Sequence, residues 1–147
     1  DDLVIMPGDL LHCDFGITYL RLDTDCQELA YVLKPEETEA PSFLVNALYD
    51  GNRVQDFLTK NMIKGRTGNE ILAQSLQEAK DAGLQPLNPN TVYAIELNAT
   101  VNIPEWNRDI RIMLEEAGFF GEEGFRYVNG RQTELLLIPR VKPQQGY

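Results

Sequence analysis

Two aspartates eleven residues apart sit in a segment whose alternation admits little but a β-hairpin. They are Asp14, in Leu11-His12-Cys13-Asp14-Phe15-Gly16, and Asp25, in Thr24-Asp25-Cys26-Gln27. Period-2 alternation puts Leu10, His12 and Asp14 on one face of the first strand. Gly16 opens the turn region, and the second strand runs from about Asp25 through Val32. Pairing of the strands around that turn lets the two carboxylates face each other. Like charges held that close require a cation or a shared proton. The hairpin therefore reads as half of a metal site.

Downstream, the pattern changes from period 2 to a helical stripe. Pro35-Glu36-Glu37-Thr38-Glu39-Ala40-Pro41 is a polar connector. A helix is expected from about Pro41 to Met62, with Phe43, Leu44, Ala47, Leu48, Val54, Phe57, Leu58 and Met62 as its apolar face and Gly51 weakening its middle. Thr67-Gly68-Asn69-Glu70 is a capping box for a second helix that ends near Ala82, with Gly83 as the residue after the cap. Pro86-Leu87-Asn88-Pro89-Asn90 is a loop. Strands are expected at Thr91–Leu97, with Val92, Ala94 and Glu96 on one face, and at Asp109–Glu116, with Arg111, Met113 and Glu115 on one side. Phe125–Val128, the pair Asn129-Gly130 and Arg131–Ile138 read as a terminal hairpin. Hairpin, two helices, then strands is an α+β order: an antiparallel sheet with helices on one face. Residues 1–139 form the expected domain and 140–147 a loose tail.

Composition narrows the function classes. A chain of 147 residues suits one domain with its own core. Its 23 acidic and 13 basic residues give a net charge of -10, which disfavours a nucleic-acid backbone as partner and is compatible with cations. Cys13 and Cys26 are too few for a disulfide framework. No apolar run is long enough to span a membrane. The chain opens without an initiator Met and is expected to be a fragment, which leaves cytoplasm, periplasm and secretion all open.

Four carboxylates interrupt largely apolar strands: Asp14, Asp25, Glu96 and Glu115. A single strand carboxylate ordinarily faces solvent. Four on one sheet argue for a shared ligand, because buried carboxylates need a partner or a metal. The remaining polar residues are read more plainly. His12 is expected to hydrogen-bond nearby or to be partly exposed rather than to ligate, and Gln27 and Glu28 to be a strand-surface pair. Trp106 and Tyr147 are packing or tail residues. Arg131 is either a residue that supports the carboxylates from behind or a surface residue of the terminal hairpin.

Taken together, Pro7-Gly8-Asp9, Asp14-Phe15-Gly16, Thr24-Asp25, the Gly65–Glu70 helix entry, Tyr93-Ala94-Ile95-Glu96 and a late Glu resemble the pita-bread metallopeptidases. That family includes methionine aminopeptidase, aminopeptidase P and prolidase. Gly130-Arg131-Gln132 and Leu136-Leu137-Ile138-Pro139 are most similar to its Xaa-Pro branch. The resemblance implies two divalent metal ions (Mn, Co or Zn) on two Asp, one His and two Glu. Asp14 and Asp25 match the two Asp. Glu96 matches the Glu after the hydrophobic strand, and Glu115 matches the final bridging Glu, with its neighbour Glu116 as the alternative. The implied reaction is hydrolysis of an N-terminal peptide bond, by a metal-activated water, in a peptide with proline second. Family members are often homodimers.

The chain departs from the family in one block. The segment that carries the family's His ligand and substrate-contacting histidines is missing between Pro86 and Leu87, as is the family's N-terminal part, and His12 is the only histidine. Both flanks keep the family register, so the missing segments are expected to belong to the native protein. The alternative is an inactive pita-bread domain that binds peptides or proteins. Occupancy of all four carboxylate positions speaks against it.

Overall fold

The computed structural model describes residues 3–86 and 95–139, apart from the side chains of Leu22, Gln85, Pro86, Ile95 and Glu96. Its elements are β1 (Leu10–Phe15), β2 (Thr18–Tyr19), β3 (Leu22–Asp23), β4 (Cys26–Val32), α1 (Ser42–Asn61), α2 (Gly68–Asp81), β5 (Gln85–Pro86), β6 (Ile95–Ile103), a 3₁₀ turn (Pro104–Trp106), β7 (Arg108–Glu116), β8 (Gly118–Gly121), β9 (Gly124–Tyr127) and β10 (Leu136–Ile138). The main sheet has the order β1-β4-β7-β6-β5, antiparallel throughout, and β10 joins β4 in parallel. The architecture is the α+β sheet with two helices that the sequence pattern implied.

Helix α1 lies on the sheet and supplies much of the core. Ala47 and Leu48 pack with Leu29, Ile103, Ile112 and Leu114, and farther along Val54 packs with Leu97 and Ala99. Near the start of α1, Leu44 packs with Tyr31 and Leu33, with Trp106 edge-on to Phe43 as a packing residue. Gly51, a liability on helix propensity alone, has a packing reason. A Cβ there would lie 2.7 Å from Ile112 Cγ2 and 3.1 Å from Leu114 Cδ1. The absent side chain lets the helix sit close to β7. Gly51→Ala gains up to about 1 kcal/mol of helix propensity and incurs about 1–3 kcal/mol of overpacking against a methyl that cannot swing away. A net loss of about 1 kcal/mol in denaturant titration is expected, and it should shrink in an Ile112→Ala background, where the closer of the two contacts is gone.

The capping box forms as read. The Thr67 side chain accepts from the Glu70 backbone N–H, and the Glu70 carboxylate accepts from the Thr67 N–H at 2.8 Å. At the other end Gly83 takes φ +76. Its N–H bonds Lys80 O and that of Leu84 bonds Ala79 O, which closes a Schellman motif. Across the helix pair, Glu78 accepts from Lys60 at 2.8 Å. The Lys60, Gln74 and Asn61 side chains together hold its carboxyl at about 2.

Two expectations are corrected. The strand expected at Thr91–Leu97 runs on to Ile103 and pairs along its whole length with β7, while residues 91–94 lie outside the described residues. The terminal hairpin does not form around Asn129-Gly130. β9 pairs instead with β8, through the turn at Glu122 and Glu123, and β10 crosses to run parallel to β4. The reason is tertiary. After Gly130, which takes φ +87, Arg131 bonds the Asn52 carbonyl and the Asp56 carboxylate on α1. The Gln132 amide then accepts from Leu29 N–H and donates to Leu29 C=O, each at 2.8 Å. A side chain thus occupies the place of a neighbouring strand, where β4 changes partner from β7 at Gln27 to β10 at Ala30. The expected tail, 140–147, lies outside the described residues.

Candidate metal centre

The hairpin delivers its two aspartates to one place. Asp14 lies one residue before the end of β1, and Asp25 immediately precedes β4. Between them the chain closes tightly. A Cβ on Gly16 would lie 2.1 Å from the Thr24 carbonyl oxygen, so only glycine fits there. Ile17 and Thr24 bond each other, and the small β2–β3 ribbon extends the turn. Glu115 comes from β7, opposite Gln27 of β4 on one side and Glu96 of β6 on the other. Carboxylate oxygens of Asp14, Asp25 and Glu115 all lie within 4.8 Å of one another. The two aspartates are exposed, whereas Glu115 is buried. The backbone register sets Glu96 directly across from Glu115, and its side chain is outside the described set.

Sequence reasoning misjudged one residue here. Gln27, expected on the strand surface, is 1% exposed. Its Nε2 donates to Glu115 Oε2 at 2.9 Å and to Asp14 Oδ2 at 3.3 Å, and its Oε1 pairs with His12 Nε2 at 3.0 Å. The signal was present in the alternation: Gln27 shares its parity along β4 with Leu29 and Tyr31, both buried. Glu28, the other half of that pair, is half-buried. His12 hydrogen-bonds nearby and is not among the three converging groups.

Glu116 faces other partners. It accepts from the Gln132 backbone N–H at 2.8 Å. Burial pushes its carboxyl up despite that bond; Glu28 adds to the rise and Arg131 opposes it. Arg131 does not lie on a terminal hairpin, and its charge acts on the neighbouring Glu116. It packs over Tyr127 and bridges to Asp56 of α1. Cys26 does not face Cys13; it pairs with Phe15, and both cysteines are free. Burial, then the surrounding carboxylates of Glu28, Glu116, Asp25 and Glu115, raise the Cys26 thiol, which keeps it protonated and non-nucleophilic.

Three carboxylates this close, from two separate parts of the chain, suit a cation on charge grounds. Their donors are hard oxygens, which fit Mn and similar divalent ions. Among the described residues no helix is long and apolar enough to cross a membrane.

No protein-family model and no curated protein matches the sequence. Solved structures do. An X-Pro aminopeptidase from Thermotoga maritima superposes with a TM-score of 0.66 at 15% identity, covering 94% of this chain and 44% of its own. A dipeptidase from Pyrococcus horikoshii gives 0.64 at 12%, with the same two coverages, and a prolidase from Thermococcus sibiricus gives 0.61 at 11%, covering 91% and 41%. The chain thus spans less than half the length of these neighbours. Over that span it shares the pita-bread fold of peptidases named for prolyl and dipeptide substrates.

Proposed function

We propose that the protein carrying this chain is a metal-dependent peptidase of the Xaa-Pro aminopeptidase or dipeptidase type. Residues 1–139 are then part of its catalytic domain. Asp14, Asp25, Glu96 and Glu115 hold two divalent ions (Mn, Co or Zn), and the substrate is a peptide with proline second. The observation that carries this reading is the convergence of Asp14 and Asp25 from the hairpin with Glu115 from a strand ninety residues on. The shared fold with proteins bearing peptidase names supports the substrate class. Divalent ions at such a site supply Lewis acidity for a peptide carbonyl and activate water for attack. The chain's own part is to hold three carboxylates together against their repulsion, with Glu115 buried and the aspartates open to an incoming ligand.

The test is release of the N-terminal residue from Xaa-Pro dipeptides and tripeptides by the full-length protein. Cleavage should stop with a chelator and return with Mn²⁺. A metal-loaded, folded protein that cleaves none of these peptides would sink the proposal. Chelator-insensitive peptide binding without cleavage would favour the binding-module alternative.

A further inference from the structure

We propose that Gln27 is a positioning residue for the metal-binding carboxylates, and that His12 fixes the orientation of its amide. This rests on the reading of Asp14, Asp25 and Glu115 as ligands. The geometry is specific. A glutamine amide has one acceptor oxygen and one nitrogen with two donor protons. In Gln27 both protons are directed at carboxylates, Glu115 at 2.9 Å and Asp14 at 3.3 Å. The reverse orientation would aim a carbonyl oxygen at two anions. The two carboxylates disfavour it, and His12 Nε2, 3.0 Å from Gln27 Oε1, adds a donor on the other side of the amide. That oxygen can only accept, so in this orientation of the amide His12 Nε2 is the donor. Every polar atom of Gln27 is thereby matched at 1% exposure.

The choice of a neutral donor is consequential. An Arg or Lys at this position would also bond the carboxylates, but its charge would oppose a cation. A Leu would leave Asp14 and Glu115 to repel, and Asp14, being exposed, would turn to solvent. Glutamine bridges strand β1 to strand β7 through β4 and leaves the negative charge of the site intact. The ligands are held together before a cation arrives, so less of the binding free energy is spent on ordering them.

The experiment is calorimetric titration of the full-length protein with Mn²⁺ alone, for the wild type, His12→Ala, Gln27→Leu and the double variant, with metal-free melting curves alongside. Gln27→Leu should weaken Mn²⁺ binding by roughly 10–100-fold, the range typical of residues that orient ligands. His12→Ala should weaken it less, without lowering the metal-free melting temperature, because the ring is exposed. The double variant should be no weaker than Gln27→Leu, since His12 acts only through the amide. Wild-type affinity in both single variants would overturn the proposal while leaving the metal reading intact. So would additive losses in the double variant. If Gln27→Leu does not fold, His12→Ala decides alone: unchanged affinity overturns, weakened affinity supports. No Mn²⁺ binding by the wild type would remove the metal reading, and this proposal with it.

Discussion

In the full-length protein, Asp14→Asn should lose divalent-metal binding and peptidase activity together, with affinity falling by more than the roughly 10–100-fold typical of outer-shell substitutions. Asn keeps the shape of the side chain and removes its charge. Asp14, Asp25 and Glu115 crowd their oxygens within 4.8 Å, so the substitution also relieves repulsion in the metal-free protein. Metal-free thermal stability should therefore hold or rise while binding is lost. That opposite pair of changes separates a ligand from a structural carboxylate, whose loss would lower stability and spare metal affinity. Calorimetry with Mn²⁺ and a melting curve in chelator measure both. Retained activity at wild-type metal affinity would rule Asp14 out as a ligand.

The largest effect on stability is expected from Gln132→Leu. The Gln132 side chain satisfies three backbone groups, Leu29 N–H, Leu29 C=O and Glu134 C=O, each at 2.8 Å. Leu is of similar size and pairs with none of them. Leu29 is itself buried in the main core cluster, so water has little access to its orphaned backbone. Each buried unsatisfied group costs about 1–3 kcal/mol, and partial relaxation of Glu134 moderates the sum to about 2–5 kcal/mol. For a chain of this size that lowers the melting temperature on the order of 10 °C. A loss too small to measure would mean that β4 does not depend on a side chain to bridge its change of partner.

How much of this was legible depended on the range of the interaction. The capping box at Thr67–Glu70 and the Schellman end at Gly83 are contacts within one turn of helix, and local sequence specifies them almost completely. Gly16 was read as opening the turn, but the close approach of the Thr24 carbonyl that makes glycine necessary there is visible only in the structure. The terminal hairpin went wrong because Asn129-Gly130 identifies a turn but not which strand follows it. Long-range bonds from Arg131 to α1 and from Gln132 to Leu29 outweigh the local hairpin preference. Gln27 was misplaced for a related reason. Residue type marks it as polar, but its surroundings are set by His12, Asp14 and Glu115, which lie 15, 13 and 88 residues away.

Alternation, helical periodicity and capping chemistry, all properties of short windows, determined the first hairpin, the two helices, the α+β order and the four carboxylates to watch. Only the tertiary structure decided that Asp14, Asp25 and Glu115 converge, that Glu116 turns instead to the Gln132 backbone, and that Gln27 stands between two carboxylates. Those outcomes depend on strand register. A shift of one residue between β4 and β7 would send the neighbouring side chains to the opposite face, and register is set by the packing of the whole sheet rather than by any window of sequence.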